Sequence, residues 1–112
     1  MSATFIPLLQ GALVSNSLGD LYTCPGLRVR IDRFEAINQS GSPATLTLRV
    51  RPAAATSDAN QHRVYINVPI PGDGVPVSLP GMLRTLAGGD RIRAVSDVAS
   101  AISVFADGVR FQ

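Results

Sequence analysis

Tryptophan and lysine are absent from this sequence, and histidine, cysteine and glutamate occur once each, as His62, Cys24 and Glu35. Each shortage removes a class of chemistry. A lone cysteine forms no internal disulfide, and Thr23-Cys24-Pro25-Gly26 has no second thiol at metal-ligand spacing, so Cys24 reads as a small apolar filler at a strand end. A Ser-His-Asp or Cys-His arrangement around His62 would have to be assembled from distant residues. Asp58, Asp73, Asp90, Asp97 and Asp107 are scattered through turn-like segments without the spacing of a calcium loop. Pro71-Gly72-Asp73-Gly74 and Gly88-Gly89-Asp90 lack the Gly-Lys-Ser/Thr ending of a phosphate loop and read as turns. The expectation is a protein that is not an enzyme and carries no cofactor and no metal.

Other scarcities bear on partners. Aromatic residues make up only 5% of the chain, which counts against a carbohydrate-binding module and against a base-stacking surface, although both remain alternatives for a β-domain. No positive residue precedes Arg28, so the charged start of a secretory signal is not seen, and no apolar run approaches the 18 or so residues of a membrane span. Assembly in a cytoplasm is expected, and a particle built there fits equally. Ten arginines against eight acids give a net charge of +2, too small an imbalance to imply nucleic acid, which is a disfavoured partner.

What is present is β-strand patterning. With 112 residues, 46% of them apolar and 16% charged, the chain has the length for one domain, residues 1–112, and too much hydrophobicity for disorder. Leu27, Val29 and Ile31 alternate with Arg28, Arg30 and Asp32. Leu46, Leu48 and Val50 alternate with Thr45, Thr47 and Arg49, and Val64, Ile66 and Val68 with Arg63, Tyr65 and Asn67. This period of two places one set on a core and the other opposite it. Less regular candidates span 4–14, 18–23, 34–38, 75–79, 90–95, 101–105 and 108–111. Turn residues recur every ten to fifteen positions, at Pro25-Gly26, 39–42, 71–74, Pro80-Gly81, 88–90 and Asp107-Gly108. Short strands at this spacing predict an all-β fold, an antiparallel β-sandwich of jelly-roll type with about eight strands and little or no helix. Segment 53–61 is the exception, a surface excursion that could hold one helical turn capped by Ser57 or Asp58.

One charge pattern stands out. Arg28-Val29-Arg30, Arg49-Val50-Arg51 and Arg91-Ile92-Arg93 repeat an Arg-apolar-Arg triplet, with Arg63-Val64-Tyr65 as a variant. On strands these side chains lie opposite the core, where neighbouring triplets could form a basic stripe. Three readings stay open: a solvated face neutralised by Asp32, Glu35, Asp90 and Asp97, a subunit or partner interface, and a single-strand nucleic-acid platform with Tyr65 as its best-placed ring. The apolar start that contains Phe5, Ile6 and Leu8 is a candidate contact as well, pairing with an edge of its own sheet or of a neighbour's. The closing Val109-Arg110-Phe111-Gln112 reads as a strand tied into the structure.

Three stretches carry a family resemblance: Leu21-Tyr22-Thr23-Cys24-Pro25; Ile31 to Gly41 running into Ala44-Thr45-Leu46-Thr47-Leu48; and Leu86-Ala87-Gly88-Gly89-Asp90-Arg91-Ile92-Arg93-Ala94. Their order resembles that of small β-sandwich virion accessory proteins of tailed bacteriophages: a strand ending in a Thr-x-Pro turn, a strand closing in an Asn-x-Ser/Thr-Gly turn, and a Gly-Asp turn opening a later strand. The resemblance implies a structural protein located in the virion, most naturally a capsid decoration or cement protein, with a tail or head-fibre component as the alternative. It also implies a major capsid protein or other virion proteins as partners and a homo-oligomeric state.

Overall fold

The computed structural model describes residues 3–111. Among these, nine strands form: β1 (Ala3–Leu13), β2 (Gly19–Thr23), β3 (Arg28–Asn38), β4 (Ala44–Arg51), β5 (Arg63–Ile70), β6 (Val77–Ser78), β7 (Thr85–Ala87), β8 (Arg91–Ser96) and β9 (Ile102–Phe111). Gln112, at the end of the predicted closing strand, lies outside the described residues.

Every strand pairing is antiparallel, and the pairs follow one rule. The first four strands run out and the rest return beside them, β4 with β5, β3 with β6 and β7, β2 with β8 and β1 with β9. This long two-ply ribbon then rolls up, bringing β9 against β3 and β8 against β4. The result is two sheets, sheet A in the order β1-β9-β3-β6 with β7 also on β3, and sheet B in the order β2-β8-β4-β5. Such a rolled ribbon is the jelly-roll form of the antiparallel sandwich. One apolar cluster fills the space between the sheets, with Phe34, Ile31, Leu46, Leu48, Ile92 and Val104 among its fully shielded members.

Bulges explain where the alternation is imperfect. In β3 the register against β9 shifts between Ile31 and Arg33, so the inward set changes from Val29 and Ile31 to Phe34, Ala36 and Asn38. Two apparent segments are one strand, since an extra residue in a ladder reverses the facing of all that follow. β1 carries two such shifts, which keep Ile6, Leu9 and Ala12 on the core side although their spacing is three. Pro7 lacks a backbone N–H and is accommodated because β1 is an edge strand.

One turn prediction is corrected. Asp107-Gly108 lies in the middle of β9, and 101–105 with 108–111 is one strand. Gly108 is needed for close approach, because a Cβ there would run into the Arg30 carbonyl oxygen on β3. The predicted turns at Pro80-Gly81 and 88–90 are both present, the first as a single 3₁₀ turn over Pro80–Met82, and between them lies β7, a short strand the alternation did not mark.

The two ends of the sandwich are closed by polar hubs, one buried and one partly exposed. At one, Asn38 is fully buried, and its amide donates to the Ser42 and Ile70 carbonyls at 2.8 and 3.0 Å while its oxygen accepts from Ser40 N–H at 3.0 Å. At the other, the Asp90 carboxylate accepts from Ala53 N–H at 3.0 Å and Ala87 N–H at 2.9 Å, and its carbonyl accepts from Cys24 N–H at 2.8 Å. Cys24 is buried as expected, and burial, followed by the nearby Asp90 charge, pushes its thiol above the ordinary value.

Candidate functional site

The candidate residues divide between the two sheets. Phe5, Ile6, Leu8, Arg28 and Arg30 belong to sheet A, and Arg49, Arg51, Arg63, Tyr65, Arg91 and Arg93 to sheet B. No continuous stripe through all the triplets exists, because β3 is in a different layer from β4, β5 and β8.

On sheet A, strand pairing sets Phe5, Val109 and Arg30 side by side, and Pro7, Asp107 and Arg33 in the next row. Phe5 is 85% exposed, whereas Val109 between its two neighbours is 4% exposed and lies outside the main core. Ile6 and Leu8 pack against the core, so within the predicted apolar contact only Phe5 is presented outward. The arginines here already have carboxylates. Arg30 Nε donates to Asp32 at 2.8 Å, and Arg33 donates to Asp107 and to Glu35, each at 2.6 Å. The Asp107 hydrogen bond is the main reason the Arg33 guanidinium holds its proton more tightly than usual, and the Asp32 hydrogen bond does the same for Arg30. Arg28 lies 5.0 Å over the Phe111 ring. At the β3 bulge, Phe5, Ile6, Pro7, Asp32, Arg33, Asp107 and Gly108 line a shallow groove of about 470 Å³.

Sheet B is organised differently. Cross-strand register aligns Asp20, Arg93, Arg49 and Arg63 in one row, and Thr23, Arg91 and Arg51 in another. Like charges directly opposite one another are unfavourable, and compensation here comes from outside the sheet. The β4–β5 connection, residues 52–62, folds over the row. Arg93 donates to the Asp58 carboxylate, Arg49 to the Ala59 carbonyl at 3.1 Å, Arg51 to the Ala55 carbonyl at 3.0 Å and Arg63 to the Asn60 side chain. Asp20 lies 2.9 Å from Arg93 Nε and 3.9 Å from Arg91. At Arg93 Nε the pair has ionic proximity without hydrogen-bond alignment, and that nitrogen, with Arg49 Nε, Arg63 Nε and Asp58 Oδ1, is buried without a hydrogen-bond partner.

Tyr65 departs from the prediction. The β4–β5 register slips between the Arg49–Arg63 and Leu48–Tyr65 pairs, with Val64 as the extra residue, so Tyr65 turns to the core side. Its hydroxyl accepts from Gly81 N–H at 2.6 Å, and it is no stacking surface beside the arginines. The helical turn in the excursion is a 3₁₀ turn over Asn60–His62; neither Ser57 nor Asp58 caps it, and Ala59 N–H donates to His62 Nδ1 at 3.3 Å.

Among known protein families, curated proteins and solved structures, none matches this chain.

Proposed function

We propose that this is a non-enzymatic structural protein of a bacteriophage particle, one that decorates and stabilises the head by docking through the outer face of sheet A. The observation that carries the reading is the pairing of charge with exposed apolar area on that face. Arg30 and Arg33 are matched by carboxylates of their own chain, so covering them strands no lone charge, while Phe5 stands 85% exposed at the rim of a groove that runs across β1, β9 and the β3 bulge. Burying a side chain such as Phe5 is worth about 1.5–3 kcal/mol per contact. A decoration protein gains strength from many modest contacts in a lattice, and such a surface suits that economy.

The jelly-roll order is consistent with this reading, since it is used by viral capsid domains, but it also serves lectins, and a fold alone does not assign a role. Quantitative mass spectrometry of particles purified from the source of the chain tests the proposal. One copy per major shell subunit, or a simple lattice fraction of that, is expected. A count of a few to a few tens would move the assignment to the tail or a head fibre, and absence from particles would end the virion reading.

A further inference from the structure

We infer that residues 53–62 form a displaceable strap over a peptide-binding face, and that the arginine row of sheet B takes an extended acidic segment of a partner protein in the strap's place. This inference is independent of the virion reading.

The strap itself shows what the face recognises. It is a length of peptide held by four guanidinium groups through the Ala55 and Ala59 carbonyls, the Asn60 amide oxygen and the Asp58 carboxylate. Guanidinium forks favour carboxylates over neutral oxygens, so a segment with acids at several of these positions would be held better than the strap, which offers one. The charge balance agrees. Among the described residues, Arg49, Arg51, Arg63, Arg91 and Arg93 form ion pairs with only Asp20 and Asp58.

Beyond its first residue, where Ala53 N–H donates to the Asp90 carboxylate at 3.0 Å, the strap is also lightly held. Not one of residues 52–62 is buried, so no apolar side chain anchors it to the sheet. The polar closure is incomplete as well, with Arg49 Nε, Arg63 Nε, Arg93 Nε and Asp58 Oδ1 all shielded and unmatched. Buried polar groups without partners are costly, and lifting the strap returns them to water or to a better-matched ligand. A peptide is favoured over nucleic acid because Tyr65, the ring nearest in sequence to the row, points to the core.

The test uses the full chain and a fluorescein-labelled hexapeptide of alternating Asp and Glu, followed by anisotropy at low and moderate salt. Measurable binding by the wild type is expected, weakening with salt. Asp58→Asn removes the internal competitor and should tighten binding about tenfold by raising the fraction of open strap. Arg49→Gln combined with Arg93→Gln should abolish it. Circular dichroism checks that each variant is folded. Hydrogen exchange on the wild type supplies a reading free of mutation: the peptide should accelerate exchange in 53–62 and leave β3 and β9 unchanged. The inference is overturned if the Asn/Gln version of the peptide binds as well, if the peptide leaves exchange in 53–62 unaltered, or if single-stranded oligothymidine of similar charge binds more tightly at the same salt.

Discussion

The two outer faces of this sandwich carry arginines on strands of the same design, yet they handle charge in opposite ways. On sheet A each ion pair forms between residues two apart on β3 or across one β3–β9 step, with roughly half of each arginine side chain left in solvent. On sheet B three arginines fall in one row, and a separate segment covers them, leaving Arg93 and Asp58 at 17% and 19% exposure. The lesson is that an Arg-apolar-Arg triplet does not determine its own environment. What decides it is whether its neighbours, along the same strand or across to the next, supply enough carboxylates or add further arginines.

The difference predicts unequal responses to substitution. The largest belongs to the backbone beneath sheet A. Gly108→Ala sets a methyl group against the Arg30 carbonyl and should cost roughly 3 kcal/mol or prevent folding, read by urea denaturation. Loss of that much stability with an unchanged core would confirm that the sheet A face is fixed by strand packing.

Asp58→Asn comes next and is the sharper test of the contrast. A pair as sheltered as Arg93–Asp58 normally costs 3–5 kcal/mol to break. Because the strap can lift and rehydrate Arg93, the global loss should stay near 1 kcal/mol, with the increase in opening confined to 53–62. A loss above about 3 kcal/mol would make the strap an integral part of the sandwich. On the other face, Asp32→Asn should leave the denaturation midpoint within error, since its pair is solvent-exposed.

The smallest effect concerns pH and neither face. Cys24 and Tyr22 both have folded-state proton affinities raised chiefly by burial above ordinary values of 9.0 and 10.0. Each neutral form stabilises the fold fully below its ordinary value, and that contribution fades as the pH rises through the folded-state value. Stability should decline gently above about pH 9, and Cys24→Ala should remove the first part of that decline in a pH series of thermal midpoints.

Much of the fold was legible because it depends on local chemistry. The alternations at 27–32 and 45–50 mark β3 and β4, and the Asn38 to Gly41 and Gly88 to Asp90 turns became the two hubs closing the sandwich ends. What escaped depends on distant neighbours. The β3 bulge made one strand look like two, the slip at Val64 turned Tyr65 inward, and Gly108 looked like a turn when it was an approach point for Arg30. Composition cannot reveal such registers, since an extra residue in a ladder is defined only by the strand opposite. The site was legible in its residue types and not in its grouping. The triplets on β4 and β8 meet because the ribbon rolls, while the β3 triplet is carried to the other layer.

The most direct measurement is native-state hydrogen exchange resolved by segment on the wild-type chain. The account predicts that amides of 53–62 exchange roughly a hundredfold or more faster than those of β3 and β9, through a local opening insensitive to low denaturant. Exchange of 53–62 only through the global unfolding that releases β3 and β9 would contradict it, and the arginine row would then be a closed part of the structure.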